Sequence, residues 1–277
     1  MPTFAFDNIG FRIGGEDRYL VSGEFHYFRV PRDDWKRRMQ LFLDAGGNTL
    51  ATYVPWLIHE PEEGTILFGD RPERDFAGFL SLAGEMGLNV LLRPGPYQYS
   101  ELKNGGLPTW LLDNYPEILA RNVKNETFTY DGVSYLHPVF LEKARKYYKA
   151  FAEVVRPFMA QNGGPVVMLQ VDNELTGIHI WRGSMDYHPV TMGFGKADGR
   201  YPRWLGAKYA DIAALNAAYG TEFASFADVL PLDPKKCASP ADNRRTRDYY
   251  DFYHTTIAEY ASLLASWLKE DGLAAPI

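Results

Sequence analysis

Glu174 stands three residues beyond Val166 to Val171, an almost wholly apolar run, with Asn173 beside it. A carboxyl directly after a buried strand is set to be desolvated, which disfavours its charged form and turns it into a useful acid. The neighbouring amide can donate to a ligand hydroxyl. A carboxylate in this position could equally cap the next helix or pair with an arginine, and position alone leaves both readings open. Similar groups recur wherever a β-rich run ends: Glu24-Phe25-His26-Tyr27, Tyr53-Val54-Pro55-Trp56 with His59-Glu60, and Arg93-Pro94-Gly95-Pro96-Tyr97 with Ser100-Glu101. In βα proteins, function collects at the C-terminal ends of strands.

The elements that must position these groups alternate between β-rich runs and amphipathic helices, the pattern of a parallel α/β sheet or barrel. The first strand falls within residues 19–28. Asp33 then caps a helix with Trp35, Met39 and Phe42 at i, i+4 and i+7, closed by Gly46 and Gly47. A second strand covers 48–55, a helix starts near Asp75, and a third strand covers 89–94. A long helix over 140–158, with Ala144, Tyr147, Phe151, Val154 and Phe158 inward, leads to the fourth strand at 166–171. The last strong helix is expected over 249–268, and Gly272 to Ile277 reads as the approach to a fifth strand. Four βα units and the start of a fifth make about half of an eight-fold barrel. Because a half barrel leaves open parallel edges, the chain is expected to be the N-terminal part of a longer protein.

Several of these motifs together resemble glycoside hydrolase family 35. They are Ser22-Gly23-Glu24-Phe25-His26-Tyr27-Phe28-Arg29, Thr52-Tyr53-Val54-Pro55-Trp56 with His59-Glu60-Pro61, and Leu92-Arg93-Pro94-Gly95-Pro96-Tyr97. Glu101 with Gly105-Gly106-Leu107-Pro108-Thr109-Trp110-Leu111 continues the likeness, and Asn173-Glu174 resembles the Asn-Glu signature of retaining glycosidases on (β/α)8 barrels. The resemblance implies a TIM-type barrel and a retaining exo-β-glycosidase acting on terminal β-galactosides or related sugars. Glu174 would be its general acid/base. Glu101 would bind hydroxyls of the terminal sugar, Tyr53 would contact that sugar, and Asn173 would meet its 2-hydroxyl. Arg93 would hold the nucleophile ionised or serve as a structural ion-pair partner. The nucleophile itself belongs after strand seven, roughly 5 Å from the acid/base. Glu259 and Glu270 fall on the last helix instead, so the nucleophile is expected outside these residues.

Of three departures from the family pattern, the first two touch the sugar pocket. Tyr99-Ser100 stand where Cys-Ala is usual, Leu57 replaces an asparagine, and Leu175-Thr176 replaces Tyr-Gly. The bulkier, polar Tyr99 leaves room for an exo-β-glucosaminidase as the alternative. A non-catalytic carbohydrate-binding barrel that kept Glu101 and Tyr53 is a third reading. An isomerase or aldolase barrel would want a metal cluster or a Schiff-base lysine, and neither is evident. His26 and His59 have no spaced third ligand and read as hydrogen-bonded framework, so neither metal nor cofactor is expected.

The stretch 175–248 is long for a βα loop and carries Trp181, Tyr187, Phe194, Tyr201 and Trp204. As an insertion on the catalytic face it is expected to form a lid, an aglycone subsite or a contact in a homo-oligomer. Its Arg203-to-Gly220 portion resembles family 42 β-galactosidases, and Arg244, Arg245 and Arg247 read as a solvated helix start. The whole of 1–277 is otherwise taken as one catalytic barrel domain. A net charge of −6 argues against a nucleic-acid partner, and no run nears the ~18 apolar residues of a membrane span. With one cysteine and an N-terminus that lacks a basic, apolar leader, the expected location is the cytoplasm.

Overall fold

A computed structural model describes residues 4–8, 10–175 and 177–277. The chain divides into two compact units, one of Met1–Asn114, Lys143–Glu174 and Ala261–Ile277, the other of Tyr115–Glu142 and Leu175–Tyr260.

The first unit opens with an antiparallel sheet of β1 (Phe4–Phe6), β2 (Phe11–Ile13) and β3 (Glu16–Arg18). These strands, three residues each, lie outside the strand–helix alternation, and sequence reasoning passed over them. Four parallel strands follow in chain order: β4 (Ser22–Glu24), β5 (Thr49–Tyr53), β6 (Asn89–Gly95) and β7 (Val166–Val171). Register sets Glu24 beside Ala51, Tyr53 beside Arg93 and Gly95 beside Val171, which brings the polar strand ends to one edge. The Leu169 amide donates to the Pro276 carbonyl at 3.0 Å, so the chain returns alongside β7 where a fifth strand was expected. This arrangement is part of a (β/α)8 barrel.

Helices Trp35–Asp44 and Phe76–Glu85 connect the strands. The Asp75 side chain accepts from the Gly78 amide at 3.0 Å and starts the second of them, as its sequence position suggested. Helix Trp35–Asp44 begins one residue later than the Asp33 cap implied, after a 3-10 turn over Arg32–Asp34. Helix Pro138–Val155 buries Ala144, Tyr147, Tyr148, Phe151, Ala152 and Val155, whereas Val154 and Phe158 are only half-buried. The expected stripe was therefore right at its start and drifted off the core face at its end. Tyr27, Trp35, Phe76 and Phe79 pack ring against ring at centroid distances of 5.3 to 6.5 Å and form the aromatic core under β4 and β5.

The helix expected over 249–268 starts at Pro240, in the second unit, and runs to Glu270. The signal missed was a capping box: Ser239 Oγ accepts from the Asp242 amide at 3.1 Å, and the Asp242 carboxylate accepts from Ser239 Oγ and the Ala238 amide. Arg244, Arg245 and Arg247 consequently lie inside the helix, where Arg245 donates to the Leu230 carbonyl and Arg247 to Asp251. Helices Arg200–Lys208 and Ile212–Tyr219 join the same helix through Asp248, which is 1% exposed. Its carboxylate accepts from Lys208 Nζ at 2.7 Å, Tyr209 OH at 2.5 Å and Tyr219 OH at 2.8 Å. Asp248→Ala removes the buried acceptor shared by an ammonium and two phenols and is expected to cost about 3 kcal/mol, read as a lower midpoint in urea unfolding. An unchanged midpoint would deny Asp248 this role.

Candidate active site

The site is built at the C-terminal edge of the parallel sheet in the first unit. Glu24 ends β4, and its Oε1 lies 2.7 Å from Arg93 Nη1. The same Arg93 nitrogen donates to Tyr53 OH at 3.1 Å, and the guanidinium sits 5.0 Å from the Tyr53 ring centroid. Arg93 thus forms an ion pair, and its partner is Glu24. The sequence placed Glu24 at a strand end but gave it no role of its own; its pairing with Arg93 supplies one. Burial raises the Tyr53 hydroxyl above its ordinary value, Arg93 opposes this, and the charges of Glu24 and Glu174 add to it. Tyr53 is therefore a protonated hydrogen-bond donor that senses the Glu174 carboxylate.

The loop after β6 carries Tyr99, Ser100 and Glu101, all in the left-handed region with φ of 57°, 50° and 50°. Three consecutive non-glycine residues there cost of order 1 kcal/mol each, and such strain concentrates at functional sites. Hydrogen bonds hold the loop in place. The Gln98 and Tyr99 amides donate to the Gly105 carbonyl at 2.7 and 3.1 Å, and Arg29 donates to the Ser100 carbonyl. A Cβ on Gly105 would fall 1.9 Å from the Tyr97 ring, so only glycine fits. Buried Gln98 is a second residue that sequence reasoning missed. Its Nε2 donates to the Val54 carbonyl at 2.9 Å and the Arg93 carbonyl at 3.0 Å, tying three strand ends together with its own carbonyl, which accepts from Asn173 Nδ2 at 3.0 Å.

After β7, buried Asp172 (φ 53°) donates its amide to the Gly95 carbonyl at 2.7 Å and accepts from the Asn173 amide at 2.7 Å. Gln170 Nε2 donates to Asn173 Oδ1 at 3.2 Å, so the Asn173 amide is oriented from both ends. Glu174 follows at φ 50° and is exposed. The desolvation expected from its position is not supplied by the described residues. It neither caps a helix nor pairs with an arginine among those residues. Glu101 is likewise exposed and makes no ion pair with Lys103 among the described residues. The site thus gathers Tyr53, Arg93, Asn173 and the backbone of Tyr99 and Ser100 into one bonded frame. From it Glu101 and Glu174 project as two uncommitted carboxylates. Thr176, one of the departures noted above, lies outside the described residues.

Both histidines serve the frame. Buried His59 donates from Nδ1 to the Leu67 carbonyl at 2.8 Å, which leaves Nε2 to accept from Tyr27 OH at 2.5 Å. Burial lowers His59 to about 4. Burial, then Arg29 and Arg93, lower His26 to about 4, so its 3.5 Å approach to Glu24 is not an ion pair at neutral pH. Among the described residues no three His, Cys, Asp or Glu side chains gather as metal ligands. Trp56 packs against Tyr147 at 5.4 Å and donates to Glu60 Oε2 at 2.6 Å, so it is core and not a sugar platform. Glu60, whose other oxygen accepts from the Gly64 amide at 2.8 Å, is structural.

A pH dependence follows from His59. Its folded value is depressed, so its contribution is complete above an unfolded value near 6.5 and is lost as pH falls toward 4. The loss is on the order of 3 kcal/mol. Thermal unfolding at pH 7 and pH 4.5 should show a larger acid-induced fall in Tm for the wild type than for His59→Gln, and equal falls would contradict it.

Comparison with known proteins gives these positions a context. The family model for glycosyl hydrolases family 35 matches residues 10–191. The exo-beta-D-glucosaminidase of Pyrococcus horikoshii is 34% identical over 267 residues, covering 92% of this chain and 33% of the relative. The beta-galactosidase of Xanthomonas manihotis is 33% identical over 241 residues, covering 84% of this chain and 38% of the relative. The beta-galactosidase structure from Marinomonas ef1 superposes with a TM-score of 0.71 at 19% identity, over 93% of this chain and 36% of that one, a likeness of fold. The chain spans about a third of the length of these relatives. Among the described residues no helix is long and apolar enough to cross a membrane. On the match over residues 10–191, which takes in every strand of the parallel sheet and every site residue above, the chain belongs to glycosyl hydrolases family 35.

Proposed function

We propose that the protein is a retaining exo-β-glycosidase that removes terminal β-galactosyl or related residues, with Glu174 as general acid/base. The observation that carries the reading is the pair of uncommitted carboxylates, Glu101 and Glu174, projecting beside Asn173 and Tyr53 from a braced frame at the strand ends. In this reading Glu174 protonates the glycosidic oxygen as the bond to the leaving group breaks, and then takes a proton from the attacking water. Asn173, oriented by Gln98 and Gln170, donates to the 2-hydroxyl. Glu101 accepts from hydroxyls of the terminal ring while Tyr53, oriented by Arg93, donates to it. Tyr99 and Ser100 line the same pocket. The sole cysteine, Cys237, suits a reducing, cytoplasmic compartment.

One observation favours an amino sugar as the terminal residue. Glu24, Glu101 and Glu174 bring three carboxylates to the strand ends, against the two guanidinium groups of Arg93 and Arg29. A pocket of that sign attracts a cationic substrate, as the ammonium of glucosamine would be. A panel of aryl glycosides tests both readings on the intact protein. Turnover confined to β-galactoside or β-glucosaminide is expected, with the better of the two identifying the sugar. Sugar binding without turnover of any aryl glycoside would identify a non-catalytic binder and overturn the proposal.

A further inference from the structure

The second unit contains a cavity of about 480 Å3, the size of a small-ligand site. Its floor is Tyr187, 5% exposed and stacked face to face on Tyr249 at 4.4 Å and 5°. The Tyr187 hydroxyl has no hydrogen-bond partner among the described residues, although burial, with the charge of Asp233, raises it and keeps it protonated. A rigid, nearly buried phenol with an unspent hydroxyl at the bottom of a cavity is equipped to bind a polar ligand. The walls supply the rest. Tyr250 and Phe128 present ring surface, Tyr250 being 43% exposed with Arg247 packed 5.5 Å from its centroid.

Polar groups stand among these rings and the apolar side chains of Val123, Ile180 and Met185. Asp233 uses one carboxylate oxygen for the Lys235 amide at 3.0 Å and keeps the other. Ser184 donates to the Met185 carbonyl at 2.7 Å and can still accept. The Lys235 ammonium forms no ion pair among the described residues. Flat rings for C–H faces, together with a donor phenol, an acceptor carboxylate and a donor ammonium, match a polyhydroxylated ring better than a purely apolar or singly charged ligand. We propose that this cavity is a saccharide-binding pocket that holds a single pyranose unit, with Tyr250 and Phe128 against the ring and Tyr187, Asp233 and Lys235 on its hydroxyls. It stands on these groups alone and does not depend on the chemistry assigned to Glu174.

Saturation-transfer NMR with galactose, glucosamine and lactose tests it on the intact protein carrying Glu101→Ala and Glu174→Gln, so that sugar held by those carboxylates is weakened. Transfer from aromatic protons to the sugar is expected to persist in that background. Adding Tyr250→Ala should weaken binding roughly tenfold. Adding Tyr187→Phe, which keeps the stacked ring and removes only the hydroxyl, should weaken it several-fold with an unchanged near-ultraviolet circular dichroism spectrum. Absence of binding by all three sugars in the double variant overturns the proposal. Binding that both added substitutions leave unchanged overturns it too.

Discussion

Replacing Glu174 with Gln in the intact protein is expected to lower turnover of alkyl and disaccharide β-glycosides by about 10^3-fold, within the range that general acid–base catalysis supplies. Such leaving groups depart as alkoxides unless a proton reaches the glycosidic oxygen, and the Gln amide cannot give one. Aryl glycosides with acidic phenols need little protonation, so their bond-breaking step should be spared. Attack by water would still lack a base, and the slow step then becomes release of the sugar. An anion that needs no deprotonation, such as azide, should restore turnover of the aryl substrate and leave a β-glycosyl azide as product. Glu174 makes no competing hydrogen bond among the described residues, so the substitution is expected to leave stability unchanged. Equal loss on both substrate types without azide rescue would remove Glu174 from the acid/base role.

Glu101→Ala should act differently. Its carboxylate is proposed to accept from two hydroxyls of the terminal ring, and two charge-assisted hydrogen bonds at about 2 kcal/mol each predict a loss in kcat/KM near 10^3-fold. The loss should appear for alkyl and aryl substrates alike, because binding the terminal ring is common to both, and azide should not repair it. Glu101→Gly separates the carboxylate from the backbone. At φ 50° glycine relieves strain of about 1 kcal/mol, so Tm should rise slightly while activity falls as far as in the alanine variant. Retention of activity in Glu101→Gly would show that loop shape, and not the carboxylate, is what the substrate needs.

How much of this was legible in the sequence depended on the range of the forces involved. The four parallel strands and the helices at 35–44 and 76–85 rest on apolar periodicity and local caps such as Asp75, and they were found within a few residues. β1 to β3, three residues each, lie outside the strand–helix alternation that marked the equally short β4, and were missed for that reason. The start of the last helix was misplaced by nine residues because its N-terminal turns carry charge in place of an apolar stripe; only the Ser239–Asp242 capping box marks it. In the site, Tyr53, Arg93, Asn173 and Glu174 were legible as strand-end residues. The Glu24–Arg93 pair and the Gln98 brace were not, since each joins segments about 70 residues apart and leaves no local trace. At Glu174 the expected burial was reversed. A buried strand before a carboxylate does not bury it when two of the three residues that follow turn through the left-handed region.

Proton NMR on the freshly started hydrolysis of an aryl β-galactoside or β-glucosaminide by the intact protein tests the central claim most directly. A retaining exo-β-glycosidase must release the β-anomer of the free sugar first, with the α-anomer growing in only as mutarotation proceeds. An α-anomer that appears first would contradict the account.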